Sequence, residues 1–139
     1  AAGDCCSFVH EAFGGRRLRL EAWRSAQEQA ATAVANMLGA AKKHLSVPWF
    51  WSDQYDLGLQ IAGLADMGPQ TVERRPGPEA LLLFHLAEDG RLMGASGIGP
   101  GNVVARDIKL AEMLIAKGAR PDAAHLSDPA APLKNLLKA

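Results

Sequence analysis

Residues 80–97 constrain the fold of this chain more than any other segment. Residues 80–86 form an uninterrupted apolar run, which is typical of a buried central strand. The dipeptide Asp89-Gly90 follows and favours a tight β-hairpin turn, after which residues 91–97 can return beside the first strand. The segment therefore predicts the centre of a mostly antiparallel sheet.

Two further strands are predicted ahead of this hairpin. In residues 57–62 leucine or isoleucine alternates with smaller or polar residues, which is the period of a half-buried strand. Residues 71–75 can form another strand, which Pro76-Gly77-Pro78 ends. We therefore expect a sheet of three to five strands.

Helices are predicted on both sides of the sheet in the sequence. Residues 21–38 show helical periodicity, and Gly39 suits the position just past a helix end. Residues 103–117 repeat the pattern, and residues 122–126 and 132–137 predict two shorter helical segments. The fold class is therefore α+β, with a leading helix, the sheet, and then helices packed on one side of it.

The first helix carries apolar residues at helical spacing, namely Trp23, Ala26, Ala30, Val34 and Met37. We expect this stripe to pack on a neighbouring layer, and Arg24, Glu28 and Gln29 to face solvent. Residues 1–17 show no regular period and are expected to be irregular.

Composition excludes several classes of protein. Fifteen basic residues balance fifteen acidic ones, which gives no electrostatic case for nucleic acid or an anionic membrane as partner. No apolar run approaches the length of a membrane-spanning helix, and we expect no signal peptide, because the first residues lack its basic-then-apolar pattern. We expect a cytoplasmic protein. Because the chain starts at Ala1 without methionine, we also expect it to be cut from a longer protein.

Few side chains suggest a metal or a catalytic group. Cys5 and Cys6 are adjacent, and since a disulfide between neighbours is strained, we expect free thiols, with a redox-active pair as the alternative. Asp53 and Tyr55 have no obvious acid or base partner. The histidines lack the spacing of metal ligands: His10, His44, His85 and His125. We therefore assign no metal and no catalytic residue.

Residues 47–56 contain Trp49 and Trp51, which share one side-chain parity if the segment is extended. Polar residues follow them directly, so the run can form an aromatic shelf with hydrogen-bonding groups beside it. Such a shelf suits a heteroaromatic ligand or a packed domain junction. The alternative is that both rings belong to the core.

Two shorter motifs lie near the N-terminus. Gly3-Asp4 can bring a backbone close to a ligand and accept hydrogen bonds from its hydroxyls, although such a pair is also a common turn. Residues 19–23 begin the first helix, where free N–H groups suit a carbonyl or an anion. The alternative for this segment is an acidic first turn that offsets the helix dipole, with Trp23 in the core.

Taken together, these motifs resemble the C-terminal part of FAD-dependent NAD(P)H:ferredoxin reductases, the family of putidaredoxin reductase and of the reductase components of aromatic-ring dioxygenases. The resemblance rests on Gly3-Asp4, Arg19-Leu20-Glu21-Ala22-Trp23, the Pro-Trp-Phe-Trp-Ser-Asp-Gln run at 48–54 and Gly118-Ala119-Arg120-Pro121-Asp122. It implies that residues 1–40 are the C-terminal strip of an FAD-binding domain. It implies that residues 41–139 are the reductase C-terminal α+β domain, which is similar to a dimerisation domain.

The resemblance also implies roles for single residues. Asp4 would bond the ribityl or phosphate region of FAD, and Glu21 and Trp23 would lie at the flavin. Trp51 would lie against the flavin ring on the side that faces a [2Fe–2S] ferredoxin. Arg19 would belong to the ferredoxin-facing surface. Electrons would pass from NAD(P)H through FAD to that ferredoxin.

The chain departs from that family in one large respect. The glycine fingerprints that bind FAD and NAD in Rossmann domains are missing. We therefore expect this chain alone neither to hold FAD tightly nor to turn over NAD(P)H, and to self-associate through its uncovered first helix. A non-catalytic interaction or dimerisation module is the alternative.

Overall fold

The computed structural model describes residues 1–138 and divides the chain into two compact units. The first unit is Ala1–Phe50 and the second begins at Trp51. Each unit is described by itself.

The first unit opens with a β-hairpin. Strand β1 (Ser7–His10) pairs antiparallel with β2 (Arg16–Arg19), so Phe8 lies opposite Leu18. The expectation that residues 1–17 are irregular was wrong, because strands of four residues are too short to show a period in sequence. The buried side chains of this unit include His10, Phe13 and Leu18.

Helix α1 (Trp23–Met37) confirms the predicted leading helix but presents the opposite face. The predicted apolar stripe lies largely in solvent, since Trp23 is 65% exposed and Met37 is 85% exposed. The buried positions of α1 are Ser25 and Gln29, and Gln29 had been placed on the solvent side. The stripe prediction failed because the hydrogen bonds of Gln29, one of which reaches the distant Gly3 amide, decide which face of this helix is covered, rather than apolar area.

The second unit is built on a five-stranded sheet with the strand order β3-β4-β7-β6-β5, of which β3 starts in the last two residues of the first unit. The strands are β3 (Trp49–Gln54), β4 (Leu57–Gly63), β5 (Gln70–Gly77), β6 (Ala80–Leu86) and β7 (Leu92–Pro100). β4 with β7, β7 with β6, and β6 with β5 all pair antiparallel. The predicted central hairpin is confirmed, and β6 has the predicted bounds.

Helices follow the sheet, as predicted. Helix α2 (Ala105–Ala116) contacts β4 and β7, helix α3 (Ala123–Ser127) contacts β5, and a 3₁₀ helix at Leu133–Lys138 contacts α2. A side chain added at Gly97 of β7 would meet Val104 and Ile108, which shows which face of the sheet α2 covers.

Side chains of β6 alternate between that covered face and the other one. Leu82 and Phe84 are fully buried, whereas Leu81 and Leu83 are half-buried. Leu82 lies opposite Gly97 on β7, so it faces α2. Helices α2 and α3 therefore cover one face of the sheet, and the α+β fold class is confirmed.

Candidate functional site

The Gly3-Asp4 motif forms a turn that helix α1 holds in place. The Cys6 amide donates to the Gly3 carbonyl over 2.8 Å, which closes the turn. The Gly3 amide donates to Gln29 Oε1 over 3.0 Å, and Gly3 has a φ of 83°. A Cβ at Gly3 would lie 3.5 Å from the Ala26 Cβ, which is an ordinary van der Waals contact, so the positive φ rather than lack of space favours glycine here.

Gln29 is the residue of this site that sequence reasoning missed. It is 5% exposed, and its amide nitrogen donates to Ser25 Oγ over 2.9 Å while its oxygen accepts from Gly3. One side chain therefore joins the helix to the turn that carries Asp4. The available signal was that Ser25 and Gln29 are four residues apart and share one helix face.

Arg19 joins Asp4 and Glu21. Its guanidinium donates to the Asp4 carbonyl over 3.4 Å and forms an ion pair with the Glu21 carboxylate. The side chains of Arg19 and Glu21 are 56% and 60% exposed, so the pair contributes little to stability. Three of the predicted site residues are thus brought together at the surface of the first unit.

The N-terminus of α1 lies beside this group. Its N-cap residue is Ala22, and no side chain of the described residues caps it with a hydrogen bond. Backbone N–H groups at such an end carry positive potential suited to a carbonyl or an anion. Trp23, the first helical residue, is 65% exposed, so the interpretation that placed it in the core was wrong.

The two tryptophans of the aromatic run have different surroundings. Trp49 is half-buried in the first unit, where the Arg24 guanidinium lies 5.5 Å from its ring centroid. Trp51 begins the second unit and is 38% exposed, so the core interpretation does not apply to it. Tyr55 lies fully exposed in the turn after β3 with a φ of 58°.

Titratable groups show no catalytic or metal-binding cluster. Within residues 1–138, no three histidine, cysteine or acidic side chains could share a metal ion, and Cys5 and Cys6 are free thiols. Burial lowers the pKa of His44, although the Glu28 carboxylate opposes this shift, and burial also lowers the pKa of His85. The site can therefore position a bound group, and its described side chains suggest no chemistry of their own.

Replacing Gln29 by leucine is expected to lower the free energy of unfolding by about 1–2 kcal/mol, because two buried hydrogen bonds disappear. The Gly3 amide loses its acceptor, so hydrogen exchange at Gly3 and Cys6 should accelerate. Urea denaturation and amide exchange measure both effects. Gln27→Leu, at an exposed position of the same helix, is the control, and equal behaviour of the two variants would contradict this role for Gln29.

Among the described residues, no helix combines the length and apolarity that crossing a membrane requires.

Comparison with known proteins gives a consistent result. The family model described as "Reductase C-terminal" matches residues 49–137. The ferredoxin–NAD(+) reductase component of the anthranilate 1,2-dioxygenase system of Burkholderia cepacia is 44% identical over 124 residues, which are 88% of this chain and 30% of that protein. The ferredoxin reductase subunit of a Sphingobium 5,5'-dehydrodivanillate O-demethylase is 35% identical, covering 100% of this chain and 33% of its own length.

Solved structures agree with these matches. A ferredoxin reductase from Rhodopseudomonas palustris superposes with a TM-score of 0.84 at 30% identity, over 97% of this chain and 32% of that one. The reductase in a covalent putidaredoxin reductase–putidaredoxin complex gives 0.84 at 26% identity, over 99% and 32% of the two chains. This chain therefore spans about a third of the length of these proteins.

Proposed function

The chain belongs to the reductase C-terminal family, and on that premise we propose that it is part of an FAD-dependent NAD(P)H:ferredoxin oxidoreductase. Such an enzyme passes electrons from NAD(P)H through FAD to a [2Fe–2S] ferredoxin. The relatives from Burkholderia and Sphingobium are ferredoxin reductases, which supports this assignment. The proposal places the protein in the cytoplasm, where NAD(P)H is available.

One observation carries the proposal: Gln29 holds the Gly3-Asp4 turn against helix α1, whose N-terminus has no side-chain cap among the described residues. We infer that Asp4 bonds the ribityl or phosphate region of FAD. Glu21 and Trp23 would lie at the flavin, and the helix start would lie near a carbonyl of the isoalloxazine ring. The positive potential of that helix end would stabilise a reduced, anionic flavin.

FAD, when bound, accepts a hydride from NAD(P)H and gives up electrons one at a time. The chain's own residues bind and orient it, so we infer no catalytic side chain here. The sequence lacks the glycine fingerprint that binds the pyrophosphate of a dinucleotide. We therefore propose that this chain by itself neither retains FAD nor oxidises NAD(P)H, and that residues 1–40 belong to an FAD-binding domain.

Arg19 and Trp51 are proposed to face the ferredoxin. Trp51 is partly exposed on β3, and the Arg19 guanidinium is exposed beside Glu21. An acidic group of the partner would have to compete with Glu21 for Arg19. Because both side chains are solvated, that exchange costs little and docking should weaken as salt rises.

Replacing Trp51 by alanine in the reductase that contains this chain tests the proposal. We expect ferredoxin reduction to slow by about tenfold or more, the loss typical of an aromatic anchor in an interface, while the mass of the assembly stays the same. Stopped-flow reduction of the ferredoxin and light scattering measure these quantities. Phe50→Ala, which removes the exposed neighbouring ring, is the control.

The alternative function, a dimerisation module, makes the opposite prediction. If Trp51→Ala dissociates a subunit and leaves ferredoxin reduction unchanged, the electron-transfer role of this residue is wrong. The observation that favours a contact role is the exposed apolar face at the C-terminal end of α1, which comprises Val34 and Met37 together with Leu38.

We further propose that the chain by itself self-associates through that face. Changing Val34 and Met37 to glutamate together should then reduce the mass seen by light scattering to that of a monomer. Tyr55→Glu adds a carboxylate at a fully exposed position outside that face and should leave the assembly unchanged. A monomeric mass for the unaltered chain at micromolar concentration would contradict this proposal.

A further inference from the structure

A groove of about 300 Å³ lies in the second unit between the start of α2 and the segment that follows α3. Its apolar walls are formed by leucine and proline side chains, namely Pro76, Leu110, Pro129, Pro132 and Leu133. Its charged walls are formed by Arg74, Arg106, Asp107 and Lys134. The groove thus combines an apolar bed with three cations and one carboxylate.

Arg74 is the buried part of this wall. It is 4% exposed, and its two terminal nitrogens donate to the carbonyl oxygens of Leu126, Asp128, Pro129 and Ala131. Its Nε lies 3.5 Å from Asp107 Oδ2, which is an ion-pair distance, but Nε makes no hydrogen bond. This Nε is enclosed by protein, so a ligand in the groove would be attracted by the charge of Arg74 rather than bonded by Nε.

The other two cations are available to a ligand. Neither Arg106 nor Lys134 forms an ion pair or a hydrogen bond with any residue that the structure describes, and both are exposed. Three positive groups less the one carboxylate leave a formal surplus of two positive charges on the walls. Arg106 and Asp107 also belong to the first turn of α2, where the helix dipole adds positive potential.

These walls indicate the chemistry of the ligand. A cationic rim beside an apolar bed suits an oxyanion attached to a hydrophobic body, and a volume at the low end of ligand sites requires a small one. We propose that this groove binds a small organic carboxylate. Its oxygens lie near Arg106 and Lys134, and its apolar body rests on Leu110 and Leu133. This inference does not depend on the proposed electron-transfer function.

Titration of the isotope-labelled chain with benzoate, followed by amide NMR shifts at constant ionic strength, tests the site. Shifts are expected to saturate and to cluster at residues 106–110 and 129–134. The double substitution Arg106→Ala with Lys134→Ala should weaken binding at least about tenfold, since it removes two charge-assisted contacts. These side chains are exposed, so the variant should fold.

Three controls distinguish binding at this site from general attraction to exposed cations, to apolar surface or to any anion. Lys42→Ala with Lys43→Ala removes two exposed cations from the loop after α1 and should leave benzoate binding unchanged. Benzamide has the same shape without the charge and should not bind, and inorganic phosphate has the charge without the apolar body and should bind more weakly. The proposal would be overturned if benzamide or phosphate bound as tightly as benzoate. It would also be overturned if the Arg106 and Lys134 variant bound benzoate with unchanged affinity.

Discussion

Replacing Arg74 by methionine is expected to lower the free energy of unfolding by about 3 kcal/mol or more, because it removes one partner of a buried charged network. The four carbonyl oxygens that Arg74 bonds would lose their donor, and the Asp107 carboxylate would lose its nearest cation. Urea denaturation measures the loss, and a fall in melting temperature on the order of 10 °C should accompany it.

Two comparisons make this prediction specific. Arg75→Met removes a neighbouring arginine that is exposed and paired only across the surface with Glu73, so it should change stability by no more than about 0.5 kcal/mol. Adding Asp107→Asn to Arg74→Met removes the unpaired carboxylate and should recover part of the loss. A loss for Arg74→Met no larger than that for Arg75→Met would show that the carbonyl contacts do not hold the segment after α3.

Replacing Gly63 by alanine is expected to lower the free energy of unfolding by about 3 kcal/mol, for two additive reasons. The residue has a φ of 74°, which costs roughly 1 kcal/mol for any side chain. Its new Cβ would also lie 2.2 Å from the Met93 carbonyl oxygen and 2.9 Å from Ile115 Cδ1, so the end of β4 would have to move. Denaturation midpoints measure the change.

Gly90→Ala separates these two costs. Gly90 has a similar φ of 78°, but nothing lies within 4 Å of the position where its Cβ would be placed. It should therefore lose only the roughly 1 kcal/mol that the backbone conformation costs. If the two variants lose the same free energy of unfolding, the close approach of β4 to β7 at Gly63 does not contribute to the loss.

The sheet could be predicted from sequence because its signals are local. The apolar run of β6 and the Asp89-Gly90 turn specify a hairpin without reference to the rest of the chain. Helix α2 was predicted for the same reason, since its stripe packs on the sheet as its period implies. The motif resemblance was specific enough to identify the family, which the match over residues 49–137 supports.

The face of α1 could not be predicted in this way. Counting apolar residues places Trp23 and Met37 inside, whereas the structure buries Ser25 and Gln29. The reason is a hydrogen bond across 26 residues of sequence, from the Gly3 amide to Gln29, which no periodicity can show. The same limit applies to Arg74, which lies beside Arg75 in the sequence but bonds residues more than 50 positions away.

The sequence by itself determined the family, the main helices and the central hairpin, because those depend on local periodicity, turn residues and motif order. Only the tertiary structure decided which polar side chains are buried, since Gln29 and Arg74 become buried only where distant backbone groups supply their hydrogen-bond partners. Burying a polar group is favourable only when such partners are in place, and their positions exist only in the folded chain.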